Sequence, residues 1–149
     1  MLRIVRRIDM LNEWIGLIVR WFFLIAATIS AGNAISRKLF NISSNAFLEL
    51  QWYLFASGVL LGGAYVLLKD GHVRVDFLST RMSKRTNAML DLAALVIFLI
   101  PFCLMLVHYS WPMFETAWKT NEMSSNAGGL IRWPIILCLP LGFSLLLLQ

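Results

Sequence analysis

The sequence predicts an all-α integral membrane protein with four transmembrane helices, and three observations carry that expectation. Trp21–Ser36, Leu50–Leu68, Leu92–Phe114 and Trp133–Gln149 are apolar runs without an Asp, Glu, Lys or Arg. The chain is 59% hydrophobic and 14% charged, whereas soluble domains carry roughly 25% charged residues. The runs are also apolar all round, while a helix on the surface of a soluble protein keeps a polar face.

Each element follows from length. A bilayer core about 30 Å thick needs roughly 20 apolar residues in helical conformation. The second run (50–68) and the third (92–114) meet that requirement alone. The first reaches it when Trp14–Val19 join across Arg20, giving a span over about 14–36. The fourth, 133–149, stops at Gln149, and its shortness leads us to expect a cytoplasmic tail beyond it. Between the runs, Lys38–Ser44 reads as a short polar turn. In Lys69–Asp91 the residues Val75, Phe77, Leu78 and Met82 oppose Arg81, Lys84 and Arg85, the pattern of a short amphipathic segment at the cytoplasmic interface. Glu115–Ile131 is polar and turns at Ser124–Gly129, and Pro134 suits the first turn of the helix that follows. The 149 residues form one four-helix membrane domain with no internal repeat.

Basic residues set the topology. Arg3, Arg6, Arg7, Arg20, Lys69, Arg74, Arg81, Lys84 and Arg85 fall on one side of a four-span chain, and Arg37, Lys38, Lys119 and Arg132 on the other. The richer side is expected to be cytoplasmic, with both termini there. Trp52, Trp111, Trp118 and Trp133 then mark the outer interface and Trp14 the inner one, as amphipathic rings favour the headgroup layer. Arg20 belongs at the membrane interface too, where its long side chain snorkels to the headgroups or pairs with Asp70, Asp76 or a partner's carboxylate. The stretch from Ile15 to Ile35 is too long for a signal-peptide core and has no A-x-A site, so an uncleaved first span is expected.

Several function classes are excluded. No basic stripe interleaved with aromatics points to nucleic acid. Cys103 and Cys138 both lie in apolar runs as small fillers, without metal-ligand spacing. His72 and His108 fall at opposite interfaces, so they do not form a haem-ligating pair, and no cofactor is expected. No nucleophile–base pair or paired carboxylate suggests an enzyme. The spans lack the polar midplane site and repeated halves of a self-sufficient carrier. What they do contain is small residues. Gly58 and Gly62 form a GxxxG motif flanked by Ala56, Ser57 and Gly63, and Ala26, Ala27, Ser30 and Ala31 make a similar stripe, which favours close helix association.

The stretches Glu49–Phe55 (ELQWYLF), Gly62–Tyr65 and Gly71–Asp76 (GHVRVD), then Pro101-Phe102, Ser125–Pro134 (SNAGGLIRWP) and Pro140–Phe143, occur in order from Glu49 to the chain end. Together they resemble the DctQ-type small permease subunit of tripartite ATP-independent periplasmic (TRAP) transporters. The resemblance implies a non-enzymatic four-helix subunit of the bacterial inner membrane. In that family the small subunit binds a large multi-span subunit that holds the substrate and sodium sites, and a periplasmic binding protein delivers an organic acid anion. It further implies subunit-interface roles for Glu49, His72, Arg74 and Asp76, and a periplasmic docking loop at Asn126, Gly128 and Gly129, which equally suit a simple turn. Gly58 and Gly62 of the GxxxG motif suit an interface with another subunit or packing within this chain equally well. Glu49 equally suits a role at its own helix N-terminus, where acids are favoured. His72, Arg74 and Asp76 equally suit a local salt-bridged turn. The alternative function is a membrane anchor subunit of a respiratory enzyme.

Overall fold

The computed structural model describes residues 2–42, 44–69 and 83–149. Its helices are α1 (Leu2–Phe40), α2 (Asn45–Leu68), α3 (Lys84–Ala94), α4 (Ile100–Lys119) and α5 (Trp133–Leu148). A single π-helical segment, Leu95–Leu99, joins α3 to α4, so that Lys84–Lys119 runs as one rod. Among the described residues three helical stretches are long and apolar enough to cross a bilayer, and α5 is a shorter apolar helix. The chain is thus an all-α membrane protein.

Helix ends exceed the apolar runs because helix formation does not stop at the lipid boundary. The basic N-terminal segment, with Arg3, Arg6 and Arg7, is already helical in α1, and Arg37 and Lys38 close its last turn. Cations there complement the partial negative charge of a helix C-terminus. The turn expected over Lys38–Ser44 is therefore shorter than its polar composition suggests, beginning only at Asn41, which adopts φ 54°. Residues 70–82 of the expected amphipathic segment lie outside the described residues. Its final part opens α3, where Ser83 accepts a bond from the Thr86 N–H as an N-cap. The third apolar run carries a wide turn just before Pro101. The Ile100 N–H reaches the Leu95 carbonyl five residues back, next to a proline that has no N–H to offer.

The helices pack as a row. α1 lies against α2, α2 against α5, and α5 against α4, with no comparable contact between α1 and α4. Directions follow from the pairs that meet. Gly16, Val19 and Phe23 of α1 face Tyr65, Gly62 and Gly58 of α2, so these helices are antiparallel. Ser57 and Leu60 of α2 meet Cys138 and Gly142 of α5, so those two are parallel. The Phe102–Phe143 and Trp118–Trp133 ring pairs hold α4 antiparallel to α5. A row one helix thick encloses little, and the buried apolar side chains reduce to a few such as Val19, Ala26, Ala64, Cys103, Ala117 and Ile136. Most large apolar side chains face outward, which in lipid carries no hydrophobic penalty.

Candidate functional site

At one end of the row Glu49, five residues into α2, anchors the loop between α4 and α5. Its Oε1 accepts from the Ser124 hydroxyl and from Asn126 Nδ2 at 2.7 Å, and its Oε2 accepts from the Leu130 N–H at 2.8 Å. Asn45 Nδ2 donates to the Ala127 carbonyl at 3.3 Å. The loop is tied to itself as well. Arg132 pairs with Glu122, and the Met123–Ile131 bridge and the Ser124 N–H bond to Leu130 (3.0 Å) close its base. A turn from Asn126 to Gly129 is closed by a 2.9 Å backbone bond, and Gly128 at its tip has φ +73°, where a side chain would be strained. Gly129 is equally constrained, since a Cβ there would stand 2.9 Å from the Asn126 carbonyl oxygen. Asn126, Gly128 and Gly129 therefore sit in one pre-shaped loop whose outer surface is exposed. Glu49 builds that surface from beneath, with both carboxylate oxygens engaged inside the chain.

At the other end, Lys69 pairs with Glu13, bringing the end of α2 onto the start of the apolar part of α1. The hydrogen bond it donates to the Glu13 carboxylate holds the Lys69 ammonium above its ordinary range. Asn12, almost fully buried, donates to Gln149 Oε1 at 2.6 Å, and Gln149 Nε2 donates to Asp9 at 3.2 Å. This cluster connects α1 to α5 across the foot of α2. Nothing in the apolar patterning marks Asn12 as buried, because its neighbours Asp9 and Glu13 make the stretch look like a solvated face.

Between the two ends the helices meet through small residues. Gly58 lies under the Phe23 ring, where a Cβ would approach to 2.8 Å, and Gly62 lies against Val19, where it would approach to 3.3 Å. The two glycines of the GxxxG motif thus pack within this chain, on α1. A Cβ on Gly142 would overlap the Leu60 carbonyl, so α5 and α2 touch backbone to backbone. Cys138 Sγ lies 3.4 Å from Ser57 Oγ across the same seam. Gly63, in contrast, has nothing within 4 Å. It borders a groove on one side of the α1–α2 seam, of about 450 Å³, together with Gly16, Arg20, Val59 and Val66, and also a hollow of about 610 Å³ shared with Leu95, Phe98 and Phe102 of the third helical rod. Arg20 is exposed there, and its guanidinium lies 5.8 Å from the Trp21 ring centre, with no carboxylate in ion-pair distance among the described residues.

Trp118 and Trp133 pack edge to face at 4.5 Å beside the loop, Trp111 Nε1 donates to Glu115 at 3.0 Å, and Trp52 projects outward. Trp118 and Trp133 lie at the Glu49 end, with Trp111 seven residues back along α4. His72, Arg74 and Asp76 lie outside the described residues. No group of three or more His, Cys, Asp or Glu placed to hold a metal ion occurs among the described residues.

A small membrane protein, its helices laid side by side and its polar contacts gathered at the two ends, is the class defined by this geometry. The chain belongs to the DctQ family: residues 26–149 match the model of tripartite ATP-independent periplasmic transporters, DctQ component. The match takes in the second half of α1 as well as every stretch carrying the sequence resemblance. Comparison with curated proteins and with solved structures gives no significant match. Membership makes the chain the small component of a transporter of the bacterial inner membrane, in a family that works with a large transport subunit and a binding protein.

Proposed function

We propose that this chain is the scaffold subunit of a sodium-driven TRAP importer of an organic acid anion. It braces the large subunit and presents a docking surface to the periplasmic binding protein, and it has no catalytic activity of its own. The supporting observation is the distribution of polar groups. They form ordered structures at the two ends, while the hollows along the α1–α2 seam are lined mainly by Gly, Ala, Val and aromatic side chains with Ser30, Gln51 and Arg20 as scattered polar groups, and no cluster of His, Cys, Asp or Glu fit to hold a cation lies among the described residues. A carrier needs such groups near the midplane, so the binding and movement of solute fall to the large subunit.

In this reading four spans cross the membrane, the loop held by Glu49 faces the periplasm, and the Glu13–Lys69 end with both termini faces the cytoplasm. Glu49 contributes to docking indirectly, by fixing the shape that Asn126, Gly128 and Gly129 present. His72, Arg74 and Asp76 fasten the cytoplasmic connector to the large subunit.

Co-purification tests the assignment. A tagged chain co-expressed with a large TRAP subunit encoded beside it should recover that subunit in fixed ratio, and the isolated chain in liposomes should accumulate no solute. Concentrative uptake by the isolated chain would end the proposal. For the connector, Arg74→Ala combined with Asp76→Ala should lower complex yield and uptake together while leaving substrate preference unchanged. Wild-type yield in that double variant would remove its assigned role.

A further inference from the structure

The groove on the α1–α2 seam runs further than its best-formed part. Toward the Glu13 end it is bordered by Gly16, Arg20 and Phe23 from α1 and by Val59, Gly63 and Val66 from α2. Toward the Glu49 end a second hollow of about 570 Å³ continues it, bordered by Phe23, Ala27 and Ser30 from α1 and by Trp52 and Ala56 from α2. Phe23 is common to both. The α1 positions 16, 20, 23, 27 and 30 advance by alternate steps of four and three, as do the α2 positions 52, 56, 59, 63 and 66. Each set is one face of its helix, so the two hollows form one channel along the same side of the row. Its length on α1, from Gly16 to Ser30, is about 21 Å at the helical rise.

Two properties of this channel go beyond what lipid contact explains. The first is access: at Gly63 nothing lies within 4 Å of where a Cβ would stand, which lets another helix approach closely. The second property is charge. Arg20 borders the channel seven residues beyond Glu13, hence about 10 Å inside the level of the Glu13–Lys69 pair. From that depth its side chain must stretch along the helix to bring the guanidinium toward the headgroups. A cation held at that depth calls for an anion at the same depth.

We propose that this channel seats a transmembrane helix of the large subunit, and that the helix carries an Asp or Glu whose carboxylate pairs with Arg20. The inference rests on the assignment of this chain as a TRAP scaffold subunit and names which face of it the partner covers. The small residues admit the partner's backbone and Arg20 fixes its register along the channel. The opposite side of the α1–α2 seam stays against lipid.

The test uses the full chain co-expressed with the large subunit and purified through a tag on the small one. Gly63→Leu fills the channel; its Cβ meets nothing within 4 Å in its own chain, and thermal unfolding of the purified variant checks that the longer side chain is accommodated. Arg20→Ala removes the cation. Each should lower recovery of the large subunit by about tenfold or more, as loss of a desolvated charge pair or a packed anchor does at other interfaces. Arg20→Lys should retain most of the recovery, as should Gly32→Leu, a second open glycine off the channel. Far-ultraviolet circular dichroism of each purified variant checks that helix content is unchanged. Wild-type stoichiometry with both Gly63→Leu and Arg20→Ala would overturn the inference while leaving the scaffold assignment standing. An intact complex that loses bound phosphatidylglycerol on Arg20→Ala, read by mass spectrometry, would also overturn it by making a lipid phosphate the anion. If the wild-type chain itself recovers no large subunit, the scaffold assignment fails and this inference with it.

Discussion

The two seams that flank α2 are built on opposite plans. Toward α5 the helices run parallel and close, with the Gly142 position against the Leu60 carbonyl, Cys138 on Ser57, and the Glu49-held loop closing one end. Toward α1 they run antiparallel, and bulky rings cross between them: Phe23 covers Gly58 and packs edge to face on Phe55 at 5.5 Å, while Tyr65 covers Gly16. Rings over glycines fill the plane of the row but leave a trough beside it. The comparison teaches that glycines of like appearance serve different ends. Gly142 permits backbone contact within the chain, Gly58 and Gly62 receive side chains from α1, and Gly63 leaves open space beside the seam.

The largest effect expected from breaking this contrast is at Gly142. A side chain there must displace a backbone carbonyl rather than a flexible group, so Gly142→Val should cost about 1–3 kcal/mol by overpacking, or more if α5 separates. Thermal unfolding in detergent should show the loss, while Gly63→Ala should leave the midpoint unchanged. Equal sensitivity at the two positions would dissolve the distinction between the seams.

A second expectation concerns the loop. Glu49→Ala leaves the Ser124 hydroxyl, the Asn126 amide and the Leu130 N–H without their acceptor. Hydrogen exchange at Leu130 and proteolysis near Gly128 should accelerate, with the α1–α2 seam unaffected. Glu49→Gln should fall between, because a neutral amide retains one acceptor oxygen but forms weaker bonds. Unchanged exchange in both variants would mean that the loop is shaped by Gly128, Gly129 and the Glu122–Arg132 pair alone.

The smallest effect is expected at Asn12. Its bond to Gln149 is a single interhelical contact, and such bonds in membranes average only about 0.6 kcal/mol. Its Oδ1 has no donor among the described residues, which lowers the net value of burying it. Asn12→Leu should therefore shift stability by under about 1 kcal/mol in the same unfolding assay.

Much of the architecture was legible in the chain itself. Runs free of charge such as 50–68 and 92–114 leave a bilayer-spanning helix as the ready solution, since only a helix satisfies its own backbone in lipid. The GxxxG motif announced close packing, and SNAGGL announced a turn. Less legible was who would pack with whom. Gly58, Gly62, Gly63 and Gly142 look interchangeable as letters, and their different partners come from the rotation of each helix about its axis. Glu49 was visible as a polar residue at a helix start. Its three hydrogen-bond partners are 75 to 81 residues away, and no local pattern links them.

From sequence alone came the helical class, the approximate extents of the apolar runs, and the family to which their connecting motifs belong. These are local properties, set by backbone satisfaction and hydropathy over one or two dozen residues. The order α1–α2–α5–α4, the parallel contact of α2 with α5 and the trough beneath Arg20 were decided only by the tertiary structure. In lipid every apolar face is equally content. The choice among them falls to shape and to a few polar bonds, and both exist only once the helices are side by side.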